Sequence, residues 1–349
     1  MASGPTGFDE DWDLEDDGWE EVDEIERRGR PRLKHELKSR KKTAPSEPPA
    51  VPLIKGVVFT TRKGRVRASV EGELVTCWLP ADMASEQKSL VAVGDEIMIE
   101  RRGQDCVVAE VLPRRSQLSR PDPFDPSKER VVAANIDVVV QVSAARNPPL
   151  KPGLIDRYLV AIEQGDAEPA ICINKTDQLD QAGREELETI LSDYRALAIP
   201  IVYCSASSGE GIERLRELVA GRTAVLVGHS GVGKSSLLNA LDQSLQVVTR
   251  ELHKEGTAGR HTTSSSTMYE FPDGTRLIDT PGIREFGLWE MGPRELRLYF
   301  PEFADLALEC RYRDCTHLHE PDCAVRDASE QGLLPTGRYE RYARMAKEL

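Results

Sequence analysis

Between residues 52 and 112 apolar and polar positions alternate in short runs: Ile54-Lys-Gly-Val-Val-Phe59, Arg65-Val-Arg-Ala-Ser-Val70, Leu74-Val-Thr-Cys-Trp78, Ile97-Met-Ile99 and Val107-Val-Ala109. Glycine-containing turns separate them, at Lys63-Gly64, Glu71-Gly72 and Gly94-Asp95. A period of two with such turns predicts a small all-β barrel, most simply an OB-fold. The Pro- and Ser-rich stretch Pro113 to Pro126 then reads as a linker. Beyond it the pattern changes. Val131-Val-Ala-Ala-Asn-Ile-Asp-Val-Val-Val140 is almost continuously apolar, as a strand buried on both faces must be. Leu154 to Ile162 has the spacing of an amphipathic helix that packs beside it. Ala170-Ile-Cys-Ile173, Ile201-Val-Tyr-Cys204, Thr223-Ala-Val-Leu-Val-Gly228 and Thr275-Arg-Leu-Ile-Asp279 are further strands, so an α/β domain is expected over 113–290.

The strand at 223–228 runs into Gly228-His229-Ser230-Gly231-Val232-Gly233-Lys234-Ser235, and a helical pattern opens with Ser236. This is the G-x-x-x-x-G-K-[ST] phosphate loop in its strand–loop–helix setting. Its glycines let successive backbone N–H groups cradle phosphate oxygens. Lys234 adds charge near the β and γ phosphates, and the Ser235 hydroxyl can ligate Mg²⁺. A chance glycine-rich turn would not bring the lysine, the serine and both flanking elements with it.

Two loops address the base. Asn174-Lys175-Thr176-Asp177 ends the strand at 170–173, at the edge where open α/β sheets bind ligands. A carboxylate at Asp177 accepts from both guanine N1–H and the 2-amino group, a donor pair adenine lacks. Taken alone this motif is a polar turn. Ser205-Ala206-Ser207, after the strand at 201–204, fits the loop whose backbone N–H meets guanine O6. In Asp279-Thr-Pro-Gly282 the aspartate can hold Mg²⁺ through water, and the Gly282 N–H can report the γ-phosphate.

The order of these motifs is informative. A Ras-like GTPase runs phosphate loop, switch threonine, D-x-x-G, N-K-x-D, S-A-K. Here the last two come first. The same sheet is kept if the chain is cut after switch II and the old ends are joined, which exposed termini tolerate. Switch II then runs directly into the segment after residue 290. Each motif occurs once, which excludes a second GTPase domain.

That C-terminal segment carries Cys310-x4-Cys315-x-His317-x5-Cys323, four soft or borderline ligands within fourteen residues. The set suits tetrahedral Zn²⁺ as Cys₃His, with His319 as a rival to His317. The alternative of ordinary buried thiols fits poorly with a stretch as polar as Arg311 to Asp322. Cys77, Cys106, Cys172 and Cys204 lie singly in apolar runs and read as small core residues. With seven cysteines, no secretory signal and no apolar run near twenty residues, the chain reads as reduced, soluble and cytoplasmic, with no membrane contact. A monomer is expected.

A net charge of −13 argues against a general nucleic-acid coat, but its distribution matters more. Residues 9–26 carry twelve acids and no base, and residues 27–42 carry nine Lys or Arg against one Glu. Neither block has apolar periodicity, so 1–50 is expected to be disordered, either a solvated tail or an arm on RNA phosphates. In the barrel, Arg62, Lys63, Arg65 and Arg67 supply charge for an oligonucleotide, while Phe59 and Trp78 serve as stacking platforms or as core.

Together, the barrel over 51–112, the permuted GTPase over 113–290 and the Cys/His tail over 291–349 resemble the RsgA family (also called YjeQ or EngC) of ribosome-small-subunit-dependent GTPases. The resemblance covers about residues 52–345. Asp156-Arg-Tyr-Leu159, Arg260-His-Thr-Thr263 and Asp279-Thr-Pro-Gly282 look like its signatures. It implies GTP/GDP with Mg²⁺, and one structural Zn²⁺ on Cys310, Cys315, His317 and Cys323 in a small α-rich C-terminal domain. It also implies a role in late maturation of the 30S subunit, contact with 16S rRNA, and hydrolysis stimulated by 30S and coupled to release. The extension at 1–50 lies outside it. The alternatives are a GTP-gated RNA-binding module in which hydrolysis is incidental, and a signalling GTPase with protein partners.

Ile283 stands where Ras-like enzymes carry the glutamine that orients the attacking water. An isoleucine cannot do this, so basal hydrolysis is expected to be slow. His261 is the internal candidate to position water, against a group of the ribosome in trans. Thr263, with Thr262 as rival, is expected to ligate Mg²⁺ when switch I closes.

Overall fold

The computed structural model describes residues 52–85, 90–103, 105–122, 125–245, 266–280 and 288–349. The N-terminal extension, His261, Thr262, Thr263, Gly282 and Ile283 lie outside the described residues.

Five strands close a barrel: β1 (Leu53–Arg62), β2 (Arg65–Val70), β3 (Glu73–Trp78), β4 (Glu96–Arg102) and β5 (Asp105–Val111), with a short helix α1 (Ala81–Ser85) after β3. β1 pairs with both β2 and β4, and the closing seam β3–β5 is parallel, with Cys77 opposite Cys106. Alternation works as expected. Val58, Val66, Ala68, Ile97, Ile99 and Val108 point inward and form the barrel core. The two aromatics take opposite fates. Phe59 is 3% exposed and belongs to the core shared with the α/β domain, whereas Trp78 is 47% exposed, with the Arg65 guanidinium 5.9 Å from its ring centre.

The stretch expected to be a linker is structured. β6 (Gln117–Pro121) pairs antiparallel with β7 (Glu129–Ala134), and Leu118 is fully buried. Arg114 Nε donates to the buried Asp95 Oδ1 at 2.7 Å and ties this ribbon to the barrel. The apolar run 131–140 is therefore two strands rather than one. It breaks at Asn135 (φ 53°), and only β8 (Val138–Ala144) enters the main sheet.

That sheet has the order β10 (Ile201–Tyr203), β9 (Glu168–Asn174), β8, β11 (Thr223–Val227), β13 (Arg276–Asp279), β12 (Thr267–Glu270). The first five are mutually parallel. Parallel strands are covered on both faces, so β8 and β11 are wholly buried and mostly apolar, with Gln141, Ser143 and Thr223 the buried polar exceptions. β12 is antiparallel to β13 and meets the barrel through Thr60 and Thr267, making one continuous eleven-stranded sheet. From β8 the chain proceeds toward β10, and from β11 toward β12. Between these neighbours lies the topological switch point, the crevice where open α/β sheets bind ligands. Helices α2 (Pro152–Gln164), α3 (Gln181–Ala196), α4 (Ile212–Val219) and α5 (Lys234–Leu245) complete the layers. The C-terminal region is short and helical: α6 (Pro293–Leu296), two 3₁₀ turns, α7 (Ala304–Ala307), α8 (Ala324–Glu330) and α9 (Thr336–Lys347).

Candidate nucleotide site and metal centre

The carboxyl ends of β11, β9, β10 and β13 share one edge of the sheet, and each carries one motif. The loop Gly228 to Gly233 leaves β11 and feeds the N-terminus of α5, where Lys234, Ser235 and Ser236 begin the helix. Two glycines are required by geometry. Gly228 has φ +148°, and a Cβ there would lie 2.2 Å from the Val142 carbonyl oxygen. Gly233 has φ +97°, and its Cβ would lie 2.3 Å from Asn174 Nδ2. Lys234 folds back so that Nζ donates to the Gly228 carbonyl at 2.5 Å and to that of His229 at 3.1 Å, the posture of an ammonium held over an anion cradle. Burial lowers its pKa and the Asp279 carboxylate opposes this; burial raises the pKa of Asp279 and Lys234 opposes that. The two charges thus face one partly desolvated space.

Asn174 joins the loops. Its Nδ2 donates to the Val232 carbonyl at 2.9 Å, and its Oδ1 accepts from Ala206 N at 3.2 Å. One buried amide therefore ties the phosphate loop to the Ser205–Ser207 loop. Lys175 takes a left-handed conformation (φ 64°), which sends its ammonium to the carbonyls of Asn147 and Gly231 at 2.5 and 2.6 Å. Thr176 is fully buried and donates through Oγ1 to the Cys204 carbonyl at 3.0 Å. Asp177 stays exposed, and the Ser205 hydroxyl, with smaller help from Ser207 and Lys175, holds its carboxyl below the usual carboxylate range. Ser205 and Ser207 share a 2.9 Å hydroxyl contact. Sequence reasoning missed Asn147, which belongs to no motif and reaches the site mainly through its backbone carbonyl. It also missed Glu210, whose carbonyl accepts from Ser205 N at 2.9 Å.

The second cluster lies in the helical tail. One ligand atom from each of Cys310, Cys315, His317 and Cys323 falls within 4.8 Å of the others. His317 Nδ1 lies 3.6 Å from Cys310 Sγ and 3.4 Å from Cys323 Sγ, while His319 is exposed and outside the group. The surrounding polar groups hold the loop: Tyr339 Oη donates to the His317 carbonyl at 2.8 Å, and Cys323 Sγ accepts from Arg326 N at 3.5 Å. Burial pushes the Cys315 thiol up to about 12 and the His317 imidazole down to about 4. A neutral imidazole is the ligating form, and a divalent cation would draw the thiols to thiolates. The donor set fits zinc.

A phosphate loop, two base-side loops and D-T-P-G, arranged in permuted order around one switch point, define a circularly permuted GTPase. The model of the family described as RsgA GTPase matches residues 111–289. The chain is 40% identical over 302 residues to "Small ribosomal subunit biogenesis GTPase RsgA" of Haemophilus influenzae (strain PittGG), with 84% of each chain covered. It is also 40% identical over 299 residues to the Actinobacillus succinogenes protein of that name, with 83% of each covered. Among solved structures, YjeQ from Thermotoga maritima matches with a TM-score of 0.69 at 32% identity, covering 85% of this chain and 99% of that one. YloQ, a circularly permuted GTPase, matches with a TM-score of 0.65 at 27% identity, covering 85% and 95%. The chain belongs to the RsgA GTPase family and is a GTP-hydrolysing enzyme.

Proposed function

We propose that this GTPase acts in biogenesis of the small ribosomal subunit: it binds the 30S particle and its 16S rRNA late in maturation, and hydrolysis, stimulated by the subunit, drives its release in the cytoplasm. The observation that carries the nucleotide half is the Asn174 bridge, which brings the phosphate loop and both base-side loops to one crevice. In this reading Asp177 selects guanine and the Ser205–Ala206–Ser207 loop meets O6. The loop Gly228 to Gly233 cradles the phosphates with Lys234. Ser235, Asp279 and, from the sequence, Thr263 would hold Mg²⁺, which supplies charge neutralisation at the phosphates. Gly282 senses the γ-phosphate and His261 positions water. Cys310, Cys315, His317 and Cys323 would hold one structural Zn²⁺. The domains are 51–112, 113–290 and 291–349, following an extension at 1–50.

The ribosomal half rests on the named relatives and on the Arg65–Trp78 face of the barrel. GTP hydrolysis by the purified chain, measured with and without isolated 30S particles, tests it. Strong stimulation is expected. Tight GTP-dependent binding without stimulation points instead to a gated RNA-binding module, and neither effect to a signalling GTPase.

A further inference from the structure

The C-terminal helix α9 is fastened to the α/β domain by a buried ion cluster. Asp156 on α2 is fully buried and accepts from two arginines of α9: Arg338, and Arg341 through Nε at 2.5 Å. Arg341 reaches on to Asp193 of α3 at 3.0 Å, and Arg338 Nε pairs with Glu302 at 2.5 Å. The Arg338 guanidinium also lies 4.3 Å from the Phe300 ring centre. An ion cluster this deep is weak evidence for stability, because desolvation offsets most of its attraction. Its location is more telling.

The same cluster holds one end of a strap to the nucleotide crevice. Tyr194, whose ring lies under both arginines, donates its hydroxyl to the Pro152 carbonyl at 3.0 Å. Pro152 starts α2, one turn before Asp156. From there the chain runs back as Lys151, Leu150, Pro149 and Pro148 to Asn147, whose carbonyl shares the Lys175 ammonium with Gly231 of the phosphate loop. Three prolines in six residues restrict φ along the strap, so it transmits displacement instead of absorbing it. Arg146 to Asp180 at 3.1 Å and Asn147 Nδ2 to Gln178 at 3.4 Å attach the crevice end to the base-side loop as well.

We propose that Asp156, Arg338 and Arg341 are positioning residues for guanine-nucleotide binding. The C-terminal domain sets the strap 147–152, and through it Lys175 and the phosphate loop, by a route separate from the segment after Asp279. This rests on the nucleotide-site reading above. Coupling of this kind is reciprocal, so bound nucleotide must in turn hold α9.

The test uses the full chain and a fluorescent GDP. Arg341→Met is expected to raise the Kd for GDP about fivefold or more, within the usual range of site-to-site coupling. Arg341→Lys, which keeps the charge, should recover part of that loss, a rescue that general weakening of the fold would not produce. Where the single variant misfolds, Asp156→Asn combined with Arg341→Met serves, since it leaves Arg338 matched to Glu302 and leaves without its partner only Asp193, which is partly exposed. Saturating GDP should also slow amide exchange in α9 of the wild type and do so less in the variant. Wild-type Kd values in both variants, or exchange in α9 indifferent to GDP, overturn the proposal. A wild-type chain that binds no GDP overturns the nucleotide-site reading itself.

Discussion

In the proposed function, Asp177 and His261 divide recognition from chemistry. Asp177 is exposed and acceptor-only, its carboxyl held below the usual carboxylate range mainly by the Ser205 hydroxyl. Asp177→Asn turns one acceptor into a donor that faces a guanine donor, whereas xanthine offers an acceptor there. We expect GTP binding to weaken by at least about 2 kcal/mol, the scale of an unpaired polar group, with XTP partly restoring it; unchanged GTP affinity by titration would show that Asp177 does not read the base. The residues proposed for hydrolysis lie outside the described ones. His261→Ala is expected to leave GTP affinity intact and to slow the 30S-stimulated rate by roughly 10²–10⁴, the range for a positioned acid–base group. Ile283→Ala should change little, because an isoleucine has no water-orienting group to lose. A wild-type stimulated rate in His261→Ala moves the water-positioning group to the ribosome.

At the scale of elements, close packing shapes both the phosphate loop and the cysteine loop. Gly233 sits against Asn174, so Gly233→Ala must strain the backbone and push the amide that joins the loops. A non-glycine residue held in such a conformation costs about 1–3 kcal/mol; GDP affinity measured by titration should fall at least tenfold, with the barrel unaffected. In the tail, contrary to the expectation from its polar sequence, Cys315 and Cys323 are buried in an apolar core with Phe303, Val325 and Tyr342, and a metal held by the cluster would be linked to local folding. Metal analysis is expected to return one zinc per chain. Cys323→Ala should lose it and speed amide exchange over 291–349; the phosphate loop keeps its sheet and still binds GDP, but more weakly to the extent that α9 loosens from Asp156. Zinc-free wild-type protein prepared without chelator would remove this centre.

Over the whole molecule, the barrel, the sheet and the tail are joined by specific contacts: Thr60 with Thr267, Asp95 with Arg114, and Asp156 with the arginines of α9. The barrel offers Trp78 and Arg65 on its open face. Trp78→Ala should cost about 1–3 kcal/mol in affinity for single-stranded RNA, the value of one stacked base, with the unstimulated GTPase rate unchanged. Equal affinity in a salt-controlled binding assay would make Trp78 a bystander.

Local order was legible in the chain because it rests on neighbours. Period-two runs placed all five barrel strands, apolar runs placed β9, β10, β11 and β13, and the glycines, lysine and serine of 228–235 marked the loop at the end of β11. The grouping of Cys310, Cys315 and Cys323 was suggested by their spacing, but spacing could not tell His317 from His319, two residues apart; the fold brings His317 to the cysteines. The break at Asn135 and the ribbon hidden in the expected linker were not legible either. Leu118 and Arg114 make them strands and anchors by meeting partners in the core and at Asp95. The fates of Phe59 and Trp78, two aromatics of one barrel, were decided by which side the α/β domain covers. The same holds for Asn147, which reaches the site with a backbone carbonyl, and for Asp156 and Arg341, which lie 185 residues apart in the chain. Periodicity and motif chemistry are short-range and are written in the sequence; who covers whom is a long-range packing choice, and only the folded chain makes it.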